Sequence, residues 1–538
     1  MSSQDLPLSS SHKHHQKEMD DYSIEGMSTA QQVATRSDEI RLQEMGHEQQ
    51  LARRFSMPAL LALCLSLMAT WEALSSYIAP VLVSGGAPCL FYNYILAFIG
   101  SVCIVCSLGE IASIYPTAGG QYHWVAALCP TGHRRISSWM TGWISVGGQT
   151  VLTTSAAFAG GLGCQALITL NHSSYVPKPW HGVLFFWAIV AYSMVVNAWL
   201  IKLLPSHNLA AGVIHVVGFL AIIIVLLVTA EKHSAEYVFT EFTNSSGWNN
   251  GVSWLIGLQS AVYPLLGYDA ACHLAEELPH ASRNVPLAMV GTIVINGLIG
   301  LAYTIILLFC SGSLSDLLST PTGFPFMQIY LSATKSQVGA TLMSLPVIFI
   351  AIAASVAGTA STSRTLWAFA RDKATPFDRQ ISSVSSKMEV PVLAIVIVSV
   401  LQGLVGLLYL GNSTALNAVL SMAIIGMYIT YGLPIVFMLP ARSKIPRDSF
   451  GPFRMYPMVG TIVNIVSLVF ITVVVIFSCF PTSLPVTPQN MQYSTVVLAG
   501  WIVIGIVYYL FRGKNKFQVP ATFSVTQAVA PGSEKVRS

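Results

Sequence analysis

Twelve long apolar runs dominate the chain and restrict it to a membrane fold. Each has the roughly 20 residues that an α-helix needs to cross a bilayer. Of the 538 residues, 53% are hydrophobic and only 9% are charged, whereas soluble domains carry about 25% charged residues. We therefore predict an all-α integral membrane protein with spans near 57–83, 89–113, 137–170, 180–203, 207–230, 252–275, 286–311, 338–371, 391–411, 414–439, 456–480 and 492–512.

The unequal distribution of basic residues between the loops predicts the orientation of these spans. If the N-terminus is cytoplasmic, most of the 27 Lys and Arg residues lie in or beside cytoplasmic segments, and the exceptions are Lys178, Lys232 and Lys335. This bias is typical of the positive-inside rule. The three glycosylation sequons also fall in predicted outer loops, at Asn171, Asn244 and Asn412.

Two polar tails flank the twelve-span domain. Residues 1–56 and 513–538 are predicted to be cytoplasmic, and the first is expected to be disordered because it is rich in Ser, Gln, Glu, Asp and His. Within it, 38–56 is a candidate helix leading to the membrane, and the stretch HKHHQK at 12–17 fits a solvated tail better than a metal site. The chain shows no metalloprotease, nucleophile-elbow or phosphate-loop motif. We therefore expect no enzyme activity, cofactor, metal or nucleic-acid partner.

Ionisable residues at membrane depth are few, and five of them are candidates. Glu72 and Asp269 lie in the first and sixth spans, His215 lies in the fifth, and Glu110 and Arg364 lie near the inner ends of the second and eighth. A carboxylate at bilayer depth costs roughly 2.5–3.5 kcal/mol on insertion scales, so such residues are functional candidates. For the last two, a structural ion pair and a gate are equally open interpretations.

The first and sixth spans also share sequences that interrupt a regular helix. In the first, Pro80, Gly85 and Gly86 follow the acid, and in the sixth, Pro264 and Gly267 precede it. Interrupted helices at matching places five helices apart are typical of inverted-repeat transporters, whose unwound backbone lines a cavity. We interpret the acid of the first span as facing a substrate cavity. The alternative is a protonated acid that is hydrogen-bonded to a neighbouring helix.

Several motifs resemble those of amino acid–polyamine–organocation permeases. They are SLGEIASIYPTAGGQYHWVA (107–126) between the second and third spans, EELPHASRNVP (276–286) after the sixth, and ASTSRTLWAFARDKATPF (360–377) ending the eighth. With TWEALSS, TPTGFPF and PVTPQNMQYSTVV, they make residues 55–515 resemble the amino acid/choline transporter family. The resemblance implies two inverted five-helix repeats plus two extra helices, with substrate between helices 1 and 6 and flanked by helices 3, 8 and 10.

The resemblance also implies the position of the substrate site. Helix 1 of amino-acid members breaks at a glycine-rich segment that corresponds to Ala69–Ala73, where this chain reads ATWEA without glycine. An acid and an indole there suit a cationic amine, with Glu72 supplying charge and Trp71 a cation–π contact. The other candidate binding residues are Thr70, Gln149, Thr153, Tyr263, Tyr268, Asp269, Asn417 and Ser421.

His215 corresponds to a position where proton-coupled relatives carry a basic residue. An unperturbed histidine titrates near neutral pH, which suits reversible proton loading; the alternative is a neutral histidine bonded to a helix carbonyl. We predict a secondary transporter that imports choline, a related amine or an amino acid such as GABA, coupled to protons. The plasma membrane is the expected location and the vacuolar membrane the alternative. The alternative function is a nutrient receptor on a permease scaffold.

Overall fold

The computed structural model describes residues 38–411, 413–488 and 490–520, and this part of the chain is helical apart from its connections. From residue 57 onward the α-helices are α1 Met57–Met68, α2 Thr70–Ile114, α3 Gln121–Leu128, α4 Arg134–Asn171, α5 Pro179–Ala198, α6 Leu204–Thr229, α7 Ala235–Phe239, α8 Asn250–Val262, α9 Ala270–His273, α10 Ala281–Phe309, α11 Leu314–Leu318, α12 Pro325–Thr334, α13 Gln337–Arg371, α14 Asp378–Ile381, α15 Val392–Gly406, α16 Leu408–Gly411, α17 Ser413–Ala441, α18 Pro457–Phe477, α19 Ser494–Tyr508 and α20 Lys514–Lys516.

Eleven segments of the described chain are long and apolar enough to cross a membrane, which confirms an all-α, multi-pass membrane fold. The predicted sixth span is not among them. Over 252–275 the chain forms α8, a 3₁₀ turn at Tyr263–Leu265 and the four-residue helix α9. Pro264 lacks an amide hydrogen, and Gly267 has a φ of 104°, so neither continues an α-helix. The described residues therefore show eleven continuous candidate spans and an interrupted sixth span, and not twelve continuous helices.

The first span breaks at Ala69. Its left-handed backbone (φ 45°, ψ 46°) ends α1 and starts α2, a conformation that is uncommon outside glycine. Pro80, Gly85 and Gly86, which the sequence pattern marks as the interruption, do not form it. Residue 80 is helical, and the two glycines have non-helical angles where α2 turns into the second span. The break therefore lies at the start of 69–73, the segment that the family resemblance indicates.

The two broken spans pack against each other. α2 contacts α8 and α10, and α4 contacts α13 and α17. At the breaks themselves, the Thr70 hydroxyl donates to the carbonyl of Pro264 at 2.8 Å. A Cβ added to Gly267 would lie 3.3 Å from the Leu67 side chain, so the chain segments approach closely. Backbone groups released by one break are thus satisfied by the other, as irregular backbone inside a membrane protein requires.

Both described termini lie at the same end of the bundle. The Phe55 amide donates to the carbonyl of Glu277 at 3.2 Å, and the Gln518 amide donates to the carbonyl of Asp372 at 2.9 Å. We call this the inner end, following the charge prediction.

The predicted glycosylation sites Asn171 and Asn244 lie at the opposite, outer end. Asn171 is the last residue of α4, and Asn244 lies in the loop before α8. Its neighbour Ser245 donates its amide to the carbonyl of Val83 at the outer turn of α2. Asn412 lies outside the described residues, and glycosylation itself stays a prediction.

Residues 38–55 pack on the inner end, although the sequence pattern assigns them to a disordered tail or a helix leading to the membrane. Residues 38–44 are helical. Gln49 Nε2 donates to the carbonyl of Glu276 at 2.7 Å, and Arg54 lies 2.5 Å from Glu389. The apolar side chains dispersed among these polar residues explain the difference, because they are almost fully buried: Leu42, Met45, Leu51 and Phe55. The stretch 12–17 lies outside the described residues.

Glu110 and Arg364 form two separate ion pairs at the inner end. Glu110 accepts from the guanidinium of Arg442, which directly follows α17, and from the amide of Met455 at 2.8 Å. Arg364 Nε donates to Glu277 at 2.7 Å. All four charged groups are buried, so each pair replaces the hydration that its charges lose.

We predict that Arg442→Met destabilises the protein, because it leaves a buried carboxylate without its counter-charge. Removing one partner of a buried pair costs about 3–5 kcal/mol. The midpoint of thermal unfolding in detergent, followed by tryptophan fluorescence, measures the effect. Arg454→Met removes an exposed arginine and is the matched control. The double variant Glu110→Gln/Arg442→Met is expected to recover part of the loss; equal midpoints for Arg442→Met and the wild type contradict the prediction.

Candidate functional site

A cavity of about 260 Å³ lies beside the two helix breaks. Its walls come from α1, α2, α4, α13 and α17, from the broken sixth span and from the start of α12. The lining is mainly aliphatic and aromatic, and its polar members are Glu72, Ser76, Ser155 and Tyr263. Among the described lining residues, Glu72 alone carries a formal charge as a carboxylate. The volume is just below the roughly 300–1,000 Å³ of drug-sized sites and therefore suits a small solute.

Glu72 both lines the cavity and bonds to a neighbouring helix. Its Oε1 lies 2.8 Å from Nδ1 of His215 on α6. The two side chains are 3% and 0% exposed. The second carboxyl oxygen, Oε2, has no hydrogen-bond partner among the described residues. Glu72 thus combines features of both sequence interpretations, because it lines the cavity and one of its oxygens bonds to a neighbouring helix.

His215 is held on its other side by Asn296 of α10. Nε2 of His215 lies 3.0 Å from Oδ1 of Asn296, whose Nδ2 donates to the carbonyl of Leu65 at 3.2 Å. Leu65 lies in the last turn of α1, just before the break. A chain of hydrogen bonds therefore runs from α2 through α6 and α10 to α1.

Trp71 does not line the cavity, although the sequence suggested it for cation–π contact. Its indole is fully buried, and Nε1 donates to the carbonyl of His215 at 3.2 Å. The ring packs against Tyr303 and Phe219, with centroids 5.3 and 6.4 Å away. Trp71 follows the break by only two residues, so the helical turn directs it behind α2 while Glu72 faces the cavity. It is therefore a packing residue in this conformation.

Four aromatic side chains do line the cavity, and only one of them was a sequence candidate. Tyr263, in the break of the sixth span, lies 2.6 Å from the Ser155 hydroxyl through its phenol oxygen. The other three are phenylalanines, which carry no polar atom that would single them out in a sequence: Phe158, Phe324 and Phe326.

Asp269 lies away from the cavity, in a buried network near the inner end. It accepts from Tyr431 at 2.6 Å and from Gln121 at 2.8 Å. His273, one helical turn further on, lies 3.4 Å from the same carboxylate, and its Nδ1 faces the carbonyl of Ala118 at 3.0 Å. A carbonyl only accepts, so Nδ1 carries a hydrogen. The carboxylate thus joins residues from α3, α9 and α17.

Gln149 extends this network rather than lining the cavity. Its Nε2 lies 2.8 Å from Nε2 of His273, and its Oε1 accepts from Thr365 at 2.8 Å. Thr153 pairs with Thr362 of α13 at 3.1 Å. α4 and α13 are therefore bound into the same inner layer of polar contacts.

Two further candidates, Tyr268 and Ser421, also lie outside the cavity lining. Tyr268 is fully buried and packs on Tyr431, with ring centroids 5.2 Å apart. Ser421 is partly buried, while Leu420 lines the cavity from the described part of α17. The side chain of Asn417 lies outside the described part of the chain. A substrate contact for any of these residues stays a prediction.

The inner surface contains two titratable groups whose charged forms are disfavoured by burial. Burial lowers the pKa of His47 to about 3 and raises the pKa of Asp372 to about 7. They lie 3.9 Å apart, and Tyr122 donates to Asp372 at 2.9 Å. Because the folded-state pKa of Asp372 exceeds the ordinary value of about 3.9, it favours the folded inner end at acidic pH. This contribution is lost as the pH rises through about 7.

Sequence reasoning missed most partners of the five acids and bases that it selected. Asn296, Gln121 and Tyr431 are neutral residues in otherwise apolar or mixed segments, and a single sequence gives no sign that they face an acid. Arg442 and Glu277 lie in the charged inner loops, where a solvated charge is the ordinary expectation. The pairing of the two helix breaks is the signal that could have found them. It indicates which helices surround the breaks and therefore which helices supply polar partners there.

Comparison with known proteins identifies the class of this chain. The model of the amino acid permease family matches residues 55–506. The chain belongs to this family. It is 30% identical to a choline transporter of Saccharomyces cerevisiae over 87% of this chain and 83% of that protein. The permease is 29% identical to an amino-acid permease of Arabidopsis thaliana over 90% and 96%, and 30% identical to a swainsonine transporter of Arthroderma benhamiae over 80% and 85%.

Membership in this family decides one point about the site. Permeases move solutes without transforming them, so the protein is not an enzyme and the cavity is not a catalytic centre.

We predict that Asp269→Asn loosens this inner layer. The amide removes the anionic acceptor of Tyr431 and Gln121, and hydrogen bonds to charged groups contribute about 1.5–3 kcal/mol. Cys272, which is 1% exposed in α9, is then expected to react with a membrane-permeant maleimide at least several times faster.

The Cys272→Ser variant assigns the labelled band in that experiment. Asp316→Asn, which removes an exposed acid of α11, is the matched control and is expected to leave labelling unchanged. If Asp269→Asn also leaves the labelling rate of Cys272 unchanged, the carboxylate does not hold the inner end closed.

Proposed function

We propose that the permease is a secondary transporter that imports a small nitrogenous solute, a choline-like amine or an amino acid such as GABA, by alternating access. The observation that carries this proposal is the single charged side chain of the cavity. Glu72 presents an unpartnered carboxyl oxygen beside two helix breaks. An ammonium group of the solute supplies the missing partner, because its charge offsets the cost of a buried carboxylate.

The composition of the cavity wall supports a cationic headgroup. Phe158, Tyr263, Phe324 and Phe326 surround the cavity together with aliphatic side chains. Aromatic faces attract ammonium groups and contribute about 0.5–2 kcal/mol each. Three relatives are named for choline transport, as an amino-acid permease and for swainsonine transport, and all of these solutes contain nitrogen. The described lining contains no basic side chain for a substrate carboxylate, which favours the amine over the amino acid.

Alternating access requires two ends that open in turn. In this conformation the inner end is closed by the Asp269 network, by the two buried ion pairs and by residues 38–55. The cavity reaches the start of α12 at the outer end through Phe324 and Phe326. Inward release therefore requires the inner contacts to separate while these phenylalanines cover the cavity from outside.

Coupling to protons is proposed for the buried pair of Glu72 and His215. A histidine and a carboxylate 2.8 Å apart hold a hydrogen between them, and a histidine changes its charge within the physiological pH range. A change in cavity hydration between the outward- and inward-open states would alter the affinity of this pair for a proton. That difference is the condition for a proton gradient to drive solute uphill.

The proposed location is the plasma membrane, with the vacuolar membrane as the alternative, since import of external solute is the activity proposed. The receptor interpretation gains no support from the relatives, which are named as transporters and permeases.

We expect Glu72→Gln to reduce uptake of radiolabelled choline or GABA at least 100-fold in permease-deficient cells. The amide removes the charge that binds the ammonium group, and an opposite charge lost in a buried site costs 3–5 kcal/mol. Surface biotinylation measures whether the variant reaches the membrane.

The control for Glu72 is Glu236→Gln, which removes an exposed acid at the outer end and is expected to transport normally. Wild-type kinetics in Glu72→Gln, at equal surface expression, would leave the carboxylate with a structural role only.

We expect uptake by the wild type to increase as the external pH falls from about 7 to about 5, around the ordinary histidine pKa of about 6.5. A protonophore is expected to stop accumulation. His215→Gln retains a donor toward Glu72 but carries no proton at these pH values. It is therefore expected to exchange labelled for unlabelled solute without concentrating it. Uphill accumulation by this variant with unchanged pH dependence would place the coupling site elsewhere.

A further inference from the structure

We propose that Asn296 is a positioning residue that confines the exchangeable proton of the permease to the Glu72 side of His215. This inference rests on the proposed proton coupling and adds a residue that neither the motifs nor the relatives' names indicate. Asn296 lies on α10, outside the cavity lining, and it is fully buried.

The orientation of the Asn296 amide follows from its second contact. Its nitrogen lies 3.2 Å from the carbonyl of Leu65, which only accepts hydrogen bonds. The NH₂ group therefore points to Leu65, and Oδ1 points to Nε2 of His215 at 3.0 Å. An amide oxygen also only accepts, so Nε2 has to carry a hydrogen.

The other ring nitrogen of His215, Nδ1, is then the one at which the ring gains or loses a proton. Nδ1 faces Oε1 of Glu72 at 2.8 Å, and the hydrogen of this contact belongs to one of those two atoms. Gain or loss of a proton by the pair therefore occurs at Nδ1 and the Glu72 carboxyl group. Glu72 is the member that lines the cavity, so the proton is exchanged through the cavity while the Nε2 hydrogen stays in place.

Few other titratable groups face this pair. α2 contributes Ser75, whose hydroxyl pairs with Tyr303 of α10 at 2.7 Å, and Tyr303 pairs in turn with Tyr330 of α12 at 2.8 Å. Tyr263 lines the same cavity as Glu72. The described residues of α1, α4, α13 and α17 that line the cavity are uncharged. Phenols ionise near pH 10 in water, so the pair and its amide decide the response between pH 5 and 8.

Two substitutions of Asn296 shift the pair in opposite directions. Asn296→Asp places a negative acceptor against Nε2 and favours the imidazolium form of His215. Asn296→Leu removes the acceptor, so a neutral ring can move its hydrogen to Nδ1, and the imidazolium form is disfavoured. The external pH at half-maximal uptake of choline is therefore expected to rise by about one unit or more in the first variant and to fall by a similar amount in the second.

The matched control is Asn197→Leu. Asn197 is an equally buried asparagine of α5 that donates to Ser193 and Val356 carbonyls without touching a titratable group in those contacts. It is expected to lower maximal uptake without moving the pH midpoint. If both Asn296 variants behave in this way, Asn296 is a packing residue and the inference is overturned.

A measurement on the wild type separates this inference from the proposed function. Solid-state NMR of histidine-¹⁵N-labelled permease in lipid reports which ring nitrogens carry a hydrogen, and His215→Gln identifies the signal of His215. We expect Nε2 of His215 to stay protonated from pH 5 to 8. An unprotonated Nε2 anywhere in that range would overturn the inference, even if uptake is proton-driven. A protonated Nε2 with pH-independent uptake would support the tautomer and contradict the proposed coupling.

Discussion

The hydrogen bond between Glu72 and His215 joins a broken helix to an unbroken one. α2 starts at the break and carries the acid on its first turn, while α6 crosses the bundle without interruption. A buried carboxylate needs a partner, so this contact holds the first turn of α2 in place while its second oxygen has no partner among the described residues. The one charge among the described cavity residues and the hydrogen-bond chain to Asn296 both depend on that contact.

Buried acids in the inner half of the bundle are also paired, and there the contacts link helices to one another rather than line a cavity. Asp269 is satisfied by a phenol and an amide, and Glu110 and Glu277 by arginines. Each contact links two helices that are distant in sequence. Polar contacts depend on the direction of their hydrogen bonds and so specify an arrangement of helices more closely than apolar contacts do. The inner end is therefore held by directional contacts between distant parts of the chain.

Much of the fold was predictable because the bilayer imposes strong rules. Span length, basic loops and interrupted helices predicted a multi-pass transporter, and the family motifs placed the first break at Ala69 where Pro80 and the two glycines pointed to the wrong end of the span. The site was harder to predict. Trp71 and Glu72 are adjacent, yet one is a packing residue and the other lines the cavity, because a helix turns each successive side chain by about 100°. Partners such as Asn296, which lies 81 residues beyond His215, give no local signal.

Residues 38–55 are made early in synthesis, but the residues that they contact are made late. Its contacts lie on Glu276, Glu277 and Glu389, more than 200 residues further along the chain. Synthesis runs from the N-terminus, so these partners do not exist when the segment and the first spans enter the membrane. In a nascent permease the full set of these contacts therefore cannot form before the chain has been made as far as Glu389. Docking of residues 38–55 is then a late step of assembly, although the segment itself is made first.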